Sequence, residues 1–251
     1  MSELLAVNTV TKRFGNFTAV DGLTVSLPEG RLTAIIGPNG AGKTTAINLV
    51  TGALMPDSGE VRFKGEAITR LAVHDRIRKG VSRSFQIINV FARLTVLQNI
   101  LLPVLARRGC TRVSLHRWER ETEGIAEARG ILAEIGLHEV EDTPAGVLSH
   151  GDQRLLELGI AIAPRPELCF LDEPSSGLTS VERQTVLALV RRLSVERRTT
   201  FVIVEHDMDA VFSLAEWIVV LDRGRLLAEG TPDEIRANTA VREVYLGEEA
   251  A

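Results

Sequence analysis

The first chemistry in this 251-residue chain is carried by Gly37-Pro38-Asn39-Gly40-Ala41-Gly42-Lys43-Thr44-Thr45. The run fits G-x-x-x-x-G-K-[ST], the pattern of a phosphate-cradling loop. Its glycines let backbone N–H groups turn toward the α- and β-phosphates with no side chain in the way. A helix N-terminus behind the loop adds partial positive charge. At this spacing Lys43 reaches the β- and γ-phosphates, Thr44 offers its hydroxyl to Mg²⁺, and Thr45 donates to the α-phosphate. Binding of a nucleoside triphosphate is therefore expected at residues 37–45.

Two acids follow much later. Leu168-Cys169-Phe170-Leu171-Asp172-Glu173 is an apolar run that ends in adjacent carboxylates, an ending that buried strands rarely show without a chemical use. Beside a phosphate loop, Asp172 is placed to hold Mg²⁺, through water, and Glu173 to polarise an attacking water. Thr199 to Val204 followed by Glu205-His206 repeats the arrangement. It sets His206 at a strand's C-terminal end, where open parallel sheets bind their ligands. Leu148-Ser149-His150-Gly151-Asp152-Gln153 opens a helix with Ser149 as N-cap and Asp152 at the third helical position. A well-capped core helix would account for that stretch by itself. Phe14 and Phe17, near Gly15-Asn16, could stack on a base or fill a core, and from the residues alone the core is favoured.

Elements must position these groups. Arg31 to Ile36 is short, apolar and rich in β-branched residues, so it reads as a buried strand, and Thr44 to Val50 as the start of a helix. Strand, glycine loop and helix is the context the phosphate motif requires. Leu4 to Phe14 and Leu23 to Leu27 alternate as antiparallel strands joined around Gly15-Asn16. Pro28-Glu29-Gly30 and Pro56-Asp57-Ser58-Gly59 are turns. Glu60 to Lys64 is an exposed strand, His74 to Lys79 a basic helical segment, and Val81 to Phe85 a strand ending at Gln86. From Thr95 the apolar residues recur at helical spacing, and Pro103 predicts a kink or a break. A polar loop over Arg107 to Arg117 leads to an amphipathic helix over Arg117 to Ile135, with Gly136 as its C-cap. Residues 90–145 show no strand signal and read as a helical subdomain inserted in an α/β core. Helices over Ser180 to Leu193 and Ala240 to Leu246, strands over Trp217 to Leu221 and Arg225 to Ala228, and a helix capped by Thr231 with Pro232 at its first position complete one domain, 1–251.

Charged residues make up 25% and apolar residues 45%, a globular composition. A net charge of −4 gives no electrostatic case for nucleic acid. Cys110 and Cys169 suggest a reducing compartment, with Cys169 a small buried hydrophobe. His116 and His138 are expected to face solvent, with no cluster of metal ligands around them. No leader is expected. The longest apolar stretch, near Ile100 to Ala106, is far below the roughly 18 residues of a membrane span, so the chain is expected to be cytosolic unless a partner holds it at a membrane.

In this order the pieces resemble the ATP-binding subunit of an ABC transporter over nearly the whole chain. Gly37 to Thr45 is similar to the family's Walker A, Leu168 to Glu173 to its Walker B with the catalytic glutamate, and Leu148 to Gln153 to its signature motif. Gln86 falls at the Q-loop glutamine, Ser175 to Thr179 at the D-loop, His206 at the switch histidine, and Phe14 at the aromatic that stacks on adenine. The resemblance implies a P-loop NTPase core with a mostly parallel sheet, an N-terminal antiparallel β subdomain and the inserted helices. It implies ATP and Mg²⁺, with Thr44, Gln86 and Asp172 at the metal and Glu173, Gln86 and His206 at the reacting phosphate. Two such domains would sandwich two ATP molecules head to tail, with Ser149 and the Gly151 backbone gripping the partner's γ-phosphate. The implied partners are a second ATPase subunit, identical or paralogous, two membrane permease subunits and, indirectly, a solute-binding protein, at the cytoplasmic face of the membrane. Arg83-Ser84-Phe85-Gln86, the helical insert, Glu205-His206-Asp207-Met208 and Val244-Tyr245-Leu246-Gly247 resemble the ATPases for uptake of branched-chain amino acids, urea and amides. The export ATPases for lipopolysaccharide share a similar tail, and a non-transport ATPase or regulatory module is the other alternative. Asp152 and Thr179 depart from the family pattern: the shorter acid Asp152 is expected to weaken contacts across the interface, Thr179 in place of the D-loop Asp puts communication between the two sites in doubt, and slow but retained activity is expected. Ile87 to Leu94 is expected to line a groove for a short helix of the membrane partner.

Overall fold

The computed structural model describes residues 3–84, 90–110, 118–196, 199–205 and 207–249. Gln86, His116 and His206 lie outside the described residues.

Four strands form an antiparallel sheet in the order β2-β1-β4-β5, with β1 at Glu3–Phe14, β2 at Phe17–Pro28, β4 at Ser58–Phe63 and β5 at Glu66–Ala67. The turn at Gly15-Asn16 is where the sequence puts it. β2, however, begins at once with Phe17, paired with Phe14, and not at Leu23. The pairing carries irregularities between Val7 and Val10 and between Val10 and Lys12, and Thr9 adopts φ +46°. Bulges of this kind break the strict alternation by which a strand is recognised.

The second sheet has the order β10-β9-β3-β8-β7-β6, with β3 at Thr33–Ile36, β6 at Val81–Arg83, β7 at Leu168–Asp172, β8 at Thr200–Val204, β9 at Trp217–Asp222 and β10 at Arg225–Gly230. Its strands run parallel except for β10, which closes one edge antiparallel to β9. The central strands β3, β7 and β8 are buried at every position and mostly apolar because both faces are covered. Ala34, Ile36, Cys169, Leu171, Phe201, Ile203, Ile218 and Val220 face one core. Their alternates Ile35, Leu168, Phe170, Val202, Val204, Val219 and Leu221 face the other. That second core is sealed by the antiparallel sheet and by α1 at Lys43–Thr51. Cys169 is fully buried, as expected, and burial pushes its thiol up to about 12.

Helices cover the first face. After the short α2 at Val73–Arg78 come α3 at Val96–Arg107, α4 at Thr122–Ile135, α5 at His150–Ile162, α6 at Ser180–Glu196, α7 at Met208–Leu214, α8 at Pro232–Ala237 and α9 at Thr239–Glu249. α3 runs through Pro103 without a break. A helical proline costs about 3 kcal/mol. Ile100, Leu101, Val104 and Leu105, on both sides of it, are buried, and each contributes roughly 1.5–3 kcal/mol, so burial wins. α4 starts at Thr122, later than the expected Arg117, because Trp118–Arg120 forms a separate 3-10 turn and Glu121 leaves helical geometry. Gly136 caps it at φ +80°. α3, α4 and α5 pack on one another and on the sheet within a single core.

Candidate functional site

β3, β8 and β7 are adjacent and parallel, so their C-terminal ends lie side by side. Val204 pairs with Ile35 on one side and with Asp172 on the other. The glycine loop leaves β3, Glu173 leaves β7 and Glu205 leaves β8, which brings the three stretches chosen by chemistry to one edge.

The loop enters α1 at Gly42, the N-cap, with φ +93° and no side-chain cap. A Cβ there would stand 2.5 Å from the Ala19 carbonyl oxygen, so only glycine fits. The first-turn amides of α1 thus lack a capping side chain and can bind an anion. Lys43 is buried, and its Nζ donates to the carbonyls of Gly37 at 2.5 Å and Pro38 at 3.0 Å. The ammonium therefore sits curled within the loop. Thr44 is exposed at the helix start.

A cavity of about 280 Å³ lies over the loop, lined by Phe17, Ala19, residues Asn39 to Thr45, Glu173 and Val204. Glu173 adopts φ +49°, a left-handed conformation that costs a non-glycine residue about 1 kcal/mol or more. Its N–H donates to Val204 O at 2.9 Å and its carbonyl accepts from Ser176 at 3.1 Å, which holds it there. Phe17 is the aromatic on the cavity wall. Phe14, its cross-strand neighbour, is exposed and is not among the lining residues.

Asp172 is 1% exposed and forms an ion pair with Arg83, Nη2 to Oδ2 at 2.7 Å. Its other oxygen, Oδ1, is buried with no hydrogen-bond partner among the described residues. A buried hard oxygen left over in this way suits a divalent cation, and no all-protein metal cluster occurs among the described residues. Glu205 is buried and accepts from Ser175 twice, from N–H at 3.0 Å and Oγ at 2.8 Å. It ties the loop after β7 to the end of β8. Asp207 caps α7 and pairs with Arg183 of α6. Glu205 was conspicuous in the sequence only as the neighbour of His206; its partner was not.

Ser149 and Gly151 stand elsewhere, at the N-terminus of α5, and neither lines the cavity over the loop. Ser149 Oγ accepts from Asp152 N–H at 3.1 Å and donates to Asp152 Oδ2 at 2.8 Å. A Cβ on Gly151 would meet Glu182 Oε1 at 2.7 Å. Glu182 accepts from Thr179 Oγ1 at 2.7 Å and Thr179 N–H at 2.9 Å. These bonds, with smaller help from His150 and the Gly151 amide, hold its carboxyl below the usual range. One chain thus carries two separated halves, a loop with acids and a helix N-terminus.

The family model described as ABC transporter matches residues 20–176, and one described as branched-chain amino acid ATP-binding cassette transporter matches residues 225–251. A high-affinity branched-chain amino acid transport ATP-binding protein of Pseudomonas aeruginosa is 39% identical, with 98% of each chain covered. The corresponding protein of Escherichia coli is 35% identical over 98% of each. The crystal structure of the ADP conformation of an ATP-binding cassette of an ABC transporter superposes with a TM-score of 0.84 at 31% identity, covering 98% of this chain and 100% of that one.

Proposed function

The chain belongs to the ATP-binding cassette family of ABC transporters, and from that premise we propose that it hydrolyses ATP in a head-to-tail dimer to drive uptake of branched-chain amino acids or related small solutes such as urea or amides. One observation carries the mechanism: the cavity over Gly37–Thr45 contains the candidate water-polarising Glu173 but nothing from α5. A second subunit completes it, with Ser149 and the Gly151 backbone reaching the γ-phosphate from across the interface. The match of a branched-chain amino acid cassette model to residues 225–251 supports the solute class.

Within one site, the loop backbone and Lys43 bind the phosphates. Lys43 exchanges the carbonyls of Gly37 and Pro38 for phosphate oxygens. Phe14 and Phe17 offer rings to the base. Thr44, Gln86 and Asp172 would hold Mg²⁺, which would neutralise charge developing on the phosphates. Glu173 orients water in line with the γ-phosphate and His206 contacts that phosphate. Positioning and electrostatics supply the catalysis, as is general for phosphoryl transfer.

No described helix is long and apolar enough to cross a membrane. In this reading membrane subunits supply the passage, and this chain docks on two of them at the cytoplasmic face. A groove of about 350 Å³, walled by Ile77, Val90, Phe91, Pro103 and Ile160, fits the apolar face of a short helix. Residues 90–145, the helical subdomain of this reading, contribute one wall. Ile87 to Asn89 of the expected lining lie outside the described residues.

The decisive experiment compares wild type and Glu173→Gln for ATP hydrolysis and for size-exclusion behaviour in ATP and Mg²⁺. Hydrolysis by the wild type, with an inactive variant that elutes as an ATP-dependent dimer, is the expected result. Full hydrolysis by Glu173→Gln, or no binding of ATP by the wild type, overturns the reading.

A further inference from the structure

Arg83 touches both the docking groove and the metal acid. It closes β6 at the floor of the groove. Its Nη2 donates to Asp172 Oδ2 at 2.7 Å, and its Nη1 donates to Asn48 Oδ1 on the phosphate-loop helix. The side chain is only 10% exposed and Asp172 1%. A buried carboxylate without a cation is strongly unfavourable, so the pair is held together. Arg83 engages only one of the two Asp172 oxygens. Oδ1 stays without a proton donor among the described residues. The backbone fixes the same geometry, since Arg83 pairs with Phe170 in the sheet and Ser84 N–H donates to Phe170 O at 2.8 Å. Across the groove, Phe91 is anchored by Asn99, which accepts from Phe91 N–H at 2.8 Å and donates to Phe91 O at 3.2 Å. Arg83 and Phe91 both line the groove, so an occupant seated there contacts the side chain that holds Asp172.

We infer that Arg83 is a positioning residue that aims Asp172 Oδ1 at the magnesium ion and passes occupancy of the groove on to that carboxylate. The second half rests on the docking reading given above; the first half does not. A planar guanidinium can serve Asp172 and Asn48 together in fixed geometry, whereas an ammonium is a point charge that cannot. Arg83→Lys therefore keeps the buried carboxylate neutralised and the fold intact while releasing the orientation.

Two measurements test this. In the isolated chain, affinity for a fluorescent ATP analogue is measured with and without Mg²⁺, beside the melting temperature. Arg83→Lys is expected to lose about tenfold of the metal-dependent gain, the scale of groups that orient metal ligands, with metal-free affinity and melting temperature unchanged. An undiminished gain in a folded Arg83→Lys overturns the positioning role. In the complete transporter, Arg83→Lys is expected to co-purify with the membrane subunits but to lose their stimulation of hydrolysis. Normal stimulation overturns the transmission. Phe91→Asp is the control for docking. If it assembles and is stimulated like wild type, docking and transmission both fall, and the positioning of Asp172 stands or falls on the first measurement alone.

Discussion

Asp152 occupies the one hydroxyl that a partner's phosphate would need, since Ser149 Oγ both donates to and accepts from it. Its charge also stabilises the start of α5. Asp152→Gln should therefore move two readouts in opposite directions. Removing about 1 kcal/mol of phosphate repulsion and competition should tighten ATP-dependent dimerisation about fivefold by analytical ultracentrifugation, while the melting temperature falls. The rings of the hairpin make a second test. Phe17 lines the cavity and Phe14 stands opposite it in register, so Phe17→Ala and Phe14→Ala measured separately for ATP affinity will show which ring meets the base. We expect removal of the ring that meets the base to weaken binding the more, without altering the rate at saturating ATP. At this scale the sequence was legible where chemistry is contiguous, as at Lys43-Thr44 and Asp172-Glu173. It was illegible where a partner comes from afar: Arg83 and Asp172 are 89 positions apart and Ser175 and Glu205 30. No spacing rule connects them; only the parallel pairing of β6, β7 and β8 does.

Thr179 shows the same limit among the elements. In sequence it is a departure from the family's D-loop pattern. In the fold it closes the N-terminus of α6, trading hydrogen bonds with Glu182, as Thr231 and Glu234 do for α8. The pattern Thr-x-x-Glu announces such a box, whereas at residues 231–234 the sequence reading rests on Thr231 as cap and Pro232 at the first position. Thr179→Ala should cost about 1 kcal/mol in denaturant unfolding, and Thr179→Asp a comparable amount, because its carboxylate cannot donate to Glu182 as the Thr179 hydroxyl does. The carboxyls of Glu182 and Glu234 are both held below their ordinary 4.5, first by Thr179 and Thr231 respectively. A depressed acid stabilises the fold above its ordinary value and ceases to as pH falls through its folded value. Stability should therefore decline as pH drops below 4.5, and Glu182→Gln should flatten part of that decline in an acid titration followed by circular dichroism. Elements with clean periods, the central strands and α5, were legible nearly to the residue. β2 and α4 were not, because a bulged pairing and an isolated 3-10 turn follow no single period.

For the molecule as a whole, the two halves of the site are separate within one chain, and the signature side exposes apolar residues that a monomer has no use for. Val147 is 73% exposed just before Ser149, and Val181 74% in the first turn of α6 beside Thr179 and Glu182. A charge at either position should oppose closure. Val181→Asp is expected to abolish the ATP-dependent dimer of the Glu173→Gln protein and leave its melting temperature unchanged. Within the helix-covered core lies Cys169, with no exposed surface and a thiol pushed up to about 12, while Cys110 is half-buried. The protein therefore contains its own clock. A thiolate is needed for alkylation, so Cys110 should react with a maleimide promptly and Cys169 only when the central sheet opens to solvent. The slow phase counts those openings, and nucleotide, by favouring the closed form, should slow it in proportion to its occupancy.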